Sequence, residues 1–190
     1  MKKFLVLLCF VLNFSHANEE MLLSSANAFK VVMGSNTTTT SLVNNAKAII
    51  IFPSVKKIGF VVGGMYGEGI AMMKNGLTYN IYKAEISNGS LGFQIGYEDN
   101  YMVAFVMTDK LVESMIKSQL TLSADATASI MNASANIGTM DAFTRDIYVY
   151  VTKSGVFAGV SLGGSVISIN QGVAYGTSSY GGQTLLNYVR

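Results

Sequence analysis

Apolar residues fall at helical spacing early in this chain and again near its middle, and elsewhere they form short β-like runs. Leu22, Ala26, Phe29 and Met33 recur at steps of four, three and four, which places them on one face of a helix over 19–33. Glu19 and Glu20 occupy its first turn, where the helix dipole favours negative charge, and Gly34 supplies a stop. A polar linker, SNTTTT (35–40), leads to a short helix near 41–47 and then to AIIIF (48–52), a β-branched run closed by Pro53 that reads as a buried strand. Beyond it, Asn75-Gly76 and Asn88-Gly89 predict hairpin turns, because both residue types accept positive φ. With a polar turn at Glu98-Asp99-Asn100, they separate GIAMMK (69–74), LTYNIYKAEI (77–86), SLGFQIGY (90–97) and YMVAFVM (101–107), a meander of four strands. TDKLVESMIKSQ (108–119) returns to helical spacing with Leu111 and Met115 inward. Three more strands follow at 145–151, 155–161 and 164–169; strand and loop are both open for 123–142, and 170–190 reads as a Gly- and Ser-rich tail ending in LLNYV. Together these elements predict an α+β fold, predominantly antiparallel β, barrel-like or strongly curled, with a few flanking helices.

The N-terminus changes how the composition is read. Lys2 and Lys3, the apolar FLVLLCFVLNF (4–14) and the small residues of Ser15-His16-Ala17 have the three parts of a secretory signal. The apolar run is too short for a membrane span, which needs roughly 20 residues. Cleavage after Ala17 is expected, leaving one exported domain, 18–190, periplasmic or otherwise outside the cytoplasm and peripheral to a membrane. Cys9 lies deep in the apolar run behind Leu8, which does not fit a lipoprotein signal. Trimming removes His16, Cys9, Lys2 and Lys3, so of 13 basic and 11 acidic side chains 11 of each remain. The formal charge of +2 therefore belongs to the leader. A neutral domain lacks the basic excess of a nucleic-acid binder. Without imidazole or thiol it can build neither a Ser-His-Asp nor a Cys-His pair nor a zinc site with those ligands, so neither metal nor other cofactor is expected.

The stretch FPSVKKIGFVVGGMYGEG (52–69) concentrates glycine beside paired lysines. Gly64 and Gly69 have the spacing of a phosphate loop, but Ile70 and Ala71 follow where Lys and Ser or Thr are needed. Gly67 and Gly69 would need a third glycine at Met72 to make a dinucleotide loop. The structural reading is that Gly63, Gly64, Gly67 and Gly69 let a sheet bend, with Glu68 in a glycine-rich turn. Lys56 and Lys57, beside Ile58 and Phe60, leave a surface role open.

Three ordered blocks carry a family resemblance. AKAIIIFPSVKKIGFVVGGMYGEGIAM, with Pro53, Tyr66 and Glu68 inside it, resembles the opening signature of the SYLF lipid-binding domain family. GSLGFQIGYEDNYMVAFVMTDKLVESMIKSQLTLSADA resembles its central block, and SGVFAGVSLGGSVISIN with Ala174-Tyr175-Gly176 its close. The likeness spans residues 30–177. Gly163 stands where the family usually has Glu and Ser123 where it has Gly, so no role is carried onto those positions. The resemblance implies a mostly β domain with packed helices that binds membrane lipid. Some fungal members bind actin, but an exported chain of the bacterial branch would meet lipid.

The residues expected to serve that function are Lys30, Lys47, Lys56 and Lys57 toward head groups, and Phe29 and Phe60 toward the acyl edge. An apolar helix face with a flanking cation fits an interfacial helix; packing of that face on the sheet is the alternative. The expected partner is anionic phospholipid or a membrane surface, with no nucleic acid and no enzymatic turnover. An envelope assembly protein, a small-lipid carrier and a hydrolase using Glu68, Asp125, Asp141 or Asp146 are the other readings.

Overall fold

The structure, a computed structural model, describes residues 2–34, 36, 38–59, 62–91, 96–117, 120–122, 128–132, 145–152 and 164–190. The elements run α1 (Lys2–Met33), α2 (Thr39–Asn45), β1 (Ala48–Gly59), β2 (Val62–Asn75), β3 (Thr78–Leu91), β4 (Gly96–Val106), α3 (Asp109–Lys117), β5 (Leu120–Thr121), β6 (Ala128–Asn132), β7 (Ile147–Val151), β8 (Val166–Tyr175) and α4 (Tyr180–Val189). The strands form one strongly curled sheet in the order β5-β8-β3-β2-β1-β4-β7-β6. Its pairs are antiparallel except β6 with β7. The α+β, largely antiparallel fold expected from the pattern is the fold observed. Phe60, Asp125, Asp141 and the predicted strand 155–161 lie outside the described residues.

Pro53 does not end β1. A proline cannot donate to a sheet ladder and is confined to edges and bulges. Here β1 is central, between β2 and β4, and the register slips by one residue on both sides: between Ile51 and Ser54 toward β2, and between Phe52 and Val55 toward β4. The bulge lets the strand continue to Gly59. Gly69 makes room for it: a Cβ there would lie 2.1 Å from the Ile51 carbonyl oxygen and 2.9 Å from the Phe52 Cα.

Continuing β1 draws its neighbours along, and three predicted turns become strand. Asn88 and Gly89 lie inside β3, opposite Met65 and Gly64, and the Asn88 side-chain amide donates to Ser165 Oγ at 3.3 Å. Glu98, Asp99 and Asn100 lie inside β4, opposite Lys57, Lys56 and Val55. Glu68 is mid-strand in β2, between Ser54 and Glu85. In each case a local turn preference yields to a ladder that pairs every backbone group along a long strand. The predicted turn at Asn75-Gly76 does form one residue later: Asn75 pairs with Thr78, and Gly76 takes φ +62° at the first central position.

The sheet buries both faces. On one, Ile49, Ile51, Ile70, Met72, Val103 and Phe105 pack against the helical stripe Leu22, Ala26, Phe29 and Met33 predicted from spacing. On the other, Ile50, Phe52, Ala104 and Val149 pack with Leu111, Val112 and Met115 of α3. α1 begins at Lys2 rather than near Glu19, so the expected leader is helical and continuous with the packed segment. The tail also holds a helix that its glycines concealed. The Ser179 hydroxyl caps α4, accepting from the Gly182 amide at 3.1 Å. Gly181 lets α4 approach α1 where a Cβ would stand 2.8 Å from the Leu22 Cβ.

Candidate functional site

Strand register assembles a cationic end of the molecule. Ala48 pairs with both Met73 and Val106, and Val106 with Ile147, so the ends of β1, β2, β4 and β7 lie in one row. One step beyond stand Lys47, Lys74 and the segment Arg145-Asp146; the Lys47 amide donates to the Val106 carbonyl at 2.7 Å and the Met107 amide to the Asp146 carbonyl at 2.9 Å. Lys110, at the start of α3, follows β4 there. Lys30, near the end of α1, holds its ammonium 5.3 Å from the ring centre of Tyr188 in α4, whose next two residues include Arg190. Asp109 and Asp146 place carboxylates at this end. Lys47 reaches Asp109 at 3.4 Å, an exposed pair that adds little stability. Out of this cationic rim projects the β2–β3 hairpin, with Leu77 at its tip fully exposed at 101%.

A groove of about 440 Å³ opens beside that tip, between α2, the hairpin and α4. Its lining includes the charged side chains of Lys74 and Arg190, the polar Thr40 and Gln183, and the apolar Leu77, Tyr79, Leu186 and Val189. The Lys74 ammonium donates to the Asn44 carbonyl at 2.5 Å. Burial, and then the nearby Lys47 charge, push its pKa below the usual lysine value.

The lysines expected to act together are therefore divided. Lys30 and Lys47 belong to the cationic end. Lys56 and Lys57 are not at a turn but within β1, nine strand steps from Lys47, or about 30 Å away, directly opposite Asp99 and Glu98. Those acidic neighbours offset their charge. Phe29 is corrected outright: it is 2% exposed, its ring edge-to-face with Phe105 at 6.4 Å, so it anchors α1 rather than meeting solvent or lipid. Lys74 and Leu77 were missed. The sequence does pair a cation with an apolar residue across a Gly-containing turn, but nothing in it says that Lys47 is adjacent.

The other half of the sheet carries a polar ladder. Glu68 and Glu85 face each other across β2 and β3, and Lys83 bridges them at 2.7 and 2.8 Å. The Tyr66 hydroxyl donates to Glu68 at 2.8 Å. These bonds, Lys83 first and then Tyr66, hold the Glu68 carboxyl below its ordinary 4.5. Glu68 and then Glu85 raise Lys83, while burial and then Glu68 push Tyr66 up to about 12. A depressed glutamate stabilises the fold above 4.5 and loses that contribution as pH falls through its folded value. The raised lysine contributes fully below 10.5 and loses its contribution as pH rises through its higher folded value. Lys83→Met is expected to lower stability at neutral pH by about 1 kcal/mol or less, since the carboxylates are partly exposed, and to flatten the fall below pH 4.5. Thermal unfolding of both proteins across pH checks this; identical profiles would show that the ladder contributes nothing.

A curled antiparallel sheet packed by helices, with one cationic end and an exposed apolar tip, defines a domain of the α+β class. The chain matches the Ysc84 family, described as Las17-binding protein actin regulator, over residues 87–187, more than half its length. It is 31% identical over 133 residues to SH3 domain-containing YSC84-like protein 1 of Homo sapiens, covering 66% of this chain and 38% of that protein. An SH3 domain-containing protein of Schizosaccharomyces pombe is 30% identical over 135 residues, covering 67% of this chain and 31% of its own length. The chain belongs to the Ysc84, or SYLF, family. It spans about a third of the length of these relatives, and no solved structure matches it.

Proposed function

We propose that this protein is an exported, non-enzymatic module that docks peripherally on anionic lipid surfaces through its cationic end. The observation that carries the reading is the row of strand ends that brings Lys47 and Lys74 together near the exposed Leu77, with Lys30 against Tyr188 of α4. Each basic side chain near an anionic surface contributes on the order of 1 kcal/mol, and burying a leucine about 2 kcal/mol. Several cations and one apolar tip support reversible, salt-sensitive attachment. Membership of the SYLF family supports lipid as the partner. The leader-like start supports export with cleavage after Ala17, which N-terminal sequencing of the exported protein would check by reading Asn18 first.

The test is co-sedimentation of the purified chain with vesicles of phosphatidylcholine, with and without phosphatidylglycerol, across a salt series. Binding is expected only with the anionic lipid and should weaken as salt rises. Lys30→Gln, Lys47→Gln and Lys74→Gln combined should reduce it at least tenfold, and Leu77→Ser several-fold. Lys56→Gln with Lys57→Gln should change it little, because Asp99 and Glu98 already face those positions. Equal losses in the two lysine sets, or no binding to anionic vesicles, would overturn the reading.

A further inference from the structure

The groove beside Leu77 has features that general surface attraction does not require. It is concave, and its volume of about 440 Å³ is that of a small-molecule site rather than of a bare ion. Its lining combines charged and apolar side chains: Lys74, Leu77 and Tyr79 come from the hairpin, and Leu186 and Val189, followed by Arg190, from α4. None of the described side chains lining it is a carboxylate.

The Lys74 side chain is exposed, but its ammonium is tethered. One of its three protons is taken by the Asn44 carbonyl, which leaves two for a ligand. Its position is also electrostatically unfavourable as it stands, because burial and the Lys47 charge both disfavour the ammonium. An anion seated against Lys74 would relieve that repulsion, and Thr40 of α2, which also lines the groove, carries a hydroxyl that supplies a further donor. To use the apolar lining, the anion must carry an apolar continuation.

We propose that the groove takes a single phosphate-bearing lipid, with its phosphate against Lys74 and Thr40 and its first acyl carbons over Leu186 and Val189. The inference rests on the docking reading for the kind of surface that presents the ligand, yet it is tested apart from vesicles. Dihexanoyl phosphatidic acid, kept below its micelle concentration, is titrated into the purified chain by calorimetry, with inorganic phosphate as the second ligand. Saturable binding of one molecule per chain is expected, at least tenfold tighter than inorganic phosphate. Lys74→Gln should weaken it at least tenfold. Thr40→Trp, at an exposed position of α2, should do the same by filling the groove while leaving every cation in place. Both variants should keep the parent unfolding midpoint.

Binding untouched by both variants, or inorganic phosphate binding as tightly as the lipid, would overturn the proposal. If anionic vesicles bind but the short-chain lipid does not, the groove inference alone is lost. If the short-chain lipid binds in the groove while anionic vesicles are ignored, the groove stands and the docking reading is lost.

Discussion

Replacing Gly69 with alanine is expected to destabilise the protein by roughly 3 kcal/mol, near the upper end for an overpacked site. At about 2–4 °C per kcal/mol for a chain of this size, that is a fall of roughly 6–12 °C in Tm. The cause is contact with main chain rather than backbone conformation. The added Cβ would meet the Ile51 carbonyl oxygen at 2.1 Å, with the Ile51 carbonyl carbon and Phe52 Cα each at 2.9 Å. No rotamer change relieves a clash with backbone. The bulge around Pro53 would have to move, and both ladders of β1 depend on its register. Gly64→Ala is the control, since its nearest contact would be the Asn88 carbonyl at an ordinary 3.7 Å. Thermal unfolding of both variants checks the claim, and equal tolerance at the two positions would show that the bulge does not need Gly69.

Truncating Phe105 to alanine is expected to cost about 3–5 kcal/mol, the range for a fully buried aromatic. Phe105 has no exposed surface. Its ring lies between Phe29, at 6.4 Å and 68°, and Tyr150, at 6.2 Å and 89°, both edge-to-face. It is therefore the link by which α1 grips the sheet, and such pairs add to area burial alone. Denaturant unfolding measures the loss, and hydrogen exchange should show the faster exchange concentrated in α1. A loss below about 1 kcal/mol, or exchange spread evenly over the sheet, would contradict this account.

The same contact explains why one expected lipid residue was misplaced. Phe29 sits on an apolar helical face beside Lys30, a pattern shared by interfacial helices and by helices packed on a sheet. Only the partner distinguishes them, and here the partner is Phe105, far away in the chain. Lys56 and Lys57 illustrate the opposite case. Read locally they are a bare cationic pair, but the β1–β4 register places Asp99 and Glu98 against them. Conversely, Lys74 looked unremarkable within a hairpin until Lys47 and α4 were brought beside it.

The sequence by itself determined the buried stripe of α1, the inward residues of α3, the β-rich class of the fold, the family to which the chain belongs and the absence of imidazole and thiol beyond residue 16. Each of these is a matter of periodicity, ordered motif or inventory, which a single strand of text contains. The tertiary structure alone decided that β1 runs through Pro53, that Asn88-Gly89 and Glu98-Asp99-Asn100 extend rather than turn, and that Lys30, Lys47 and Lys74 share one end with Leu77. The reason is energetic. Turn and strand preferences differ by about 1 kcal/mol per residue, whereas a strand paired along both edges satisfies every backbone group it passes. Register over twelve or fourteen residues therefore overrides the local signals, and register sets which charges meet.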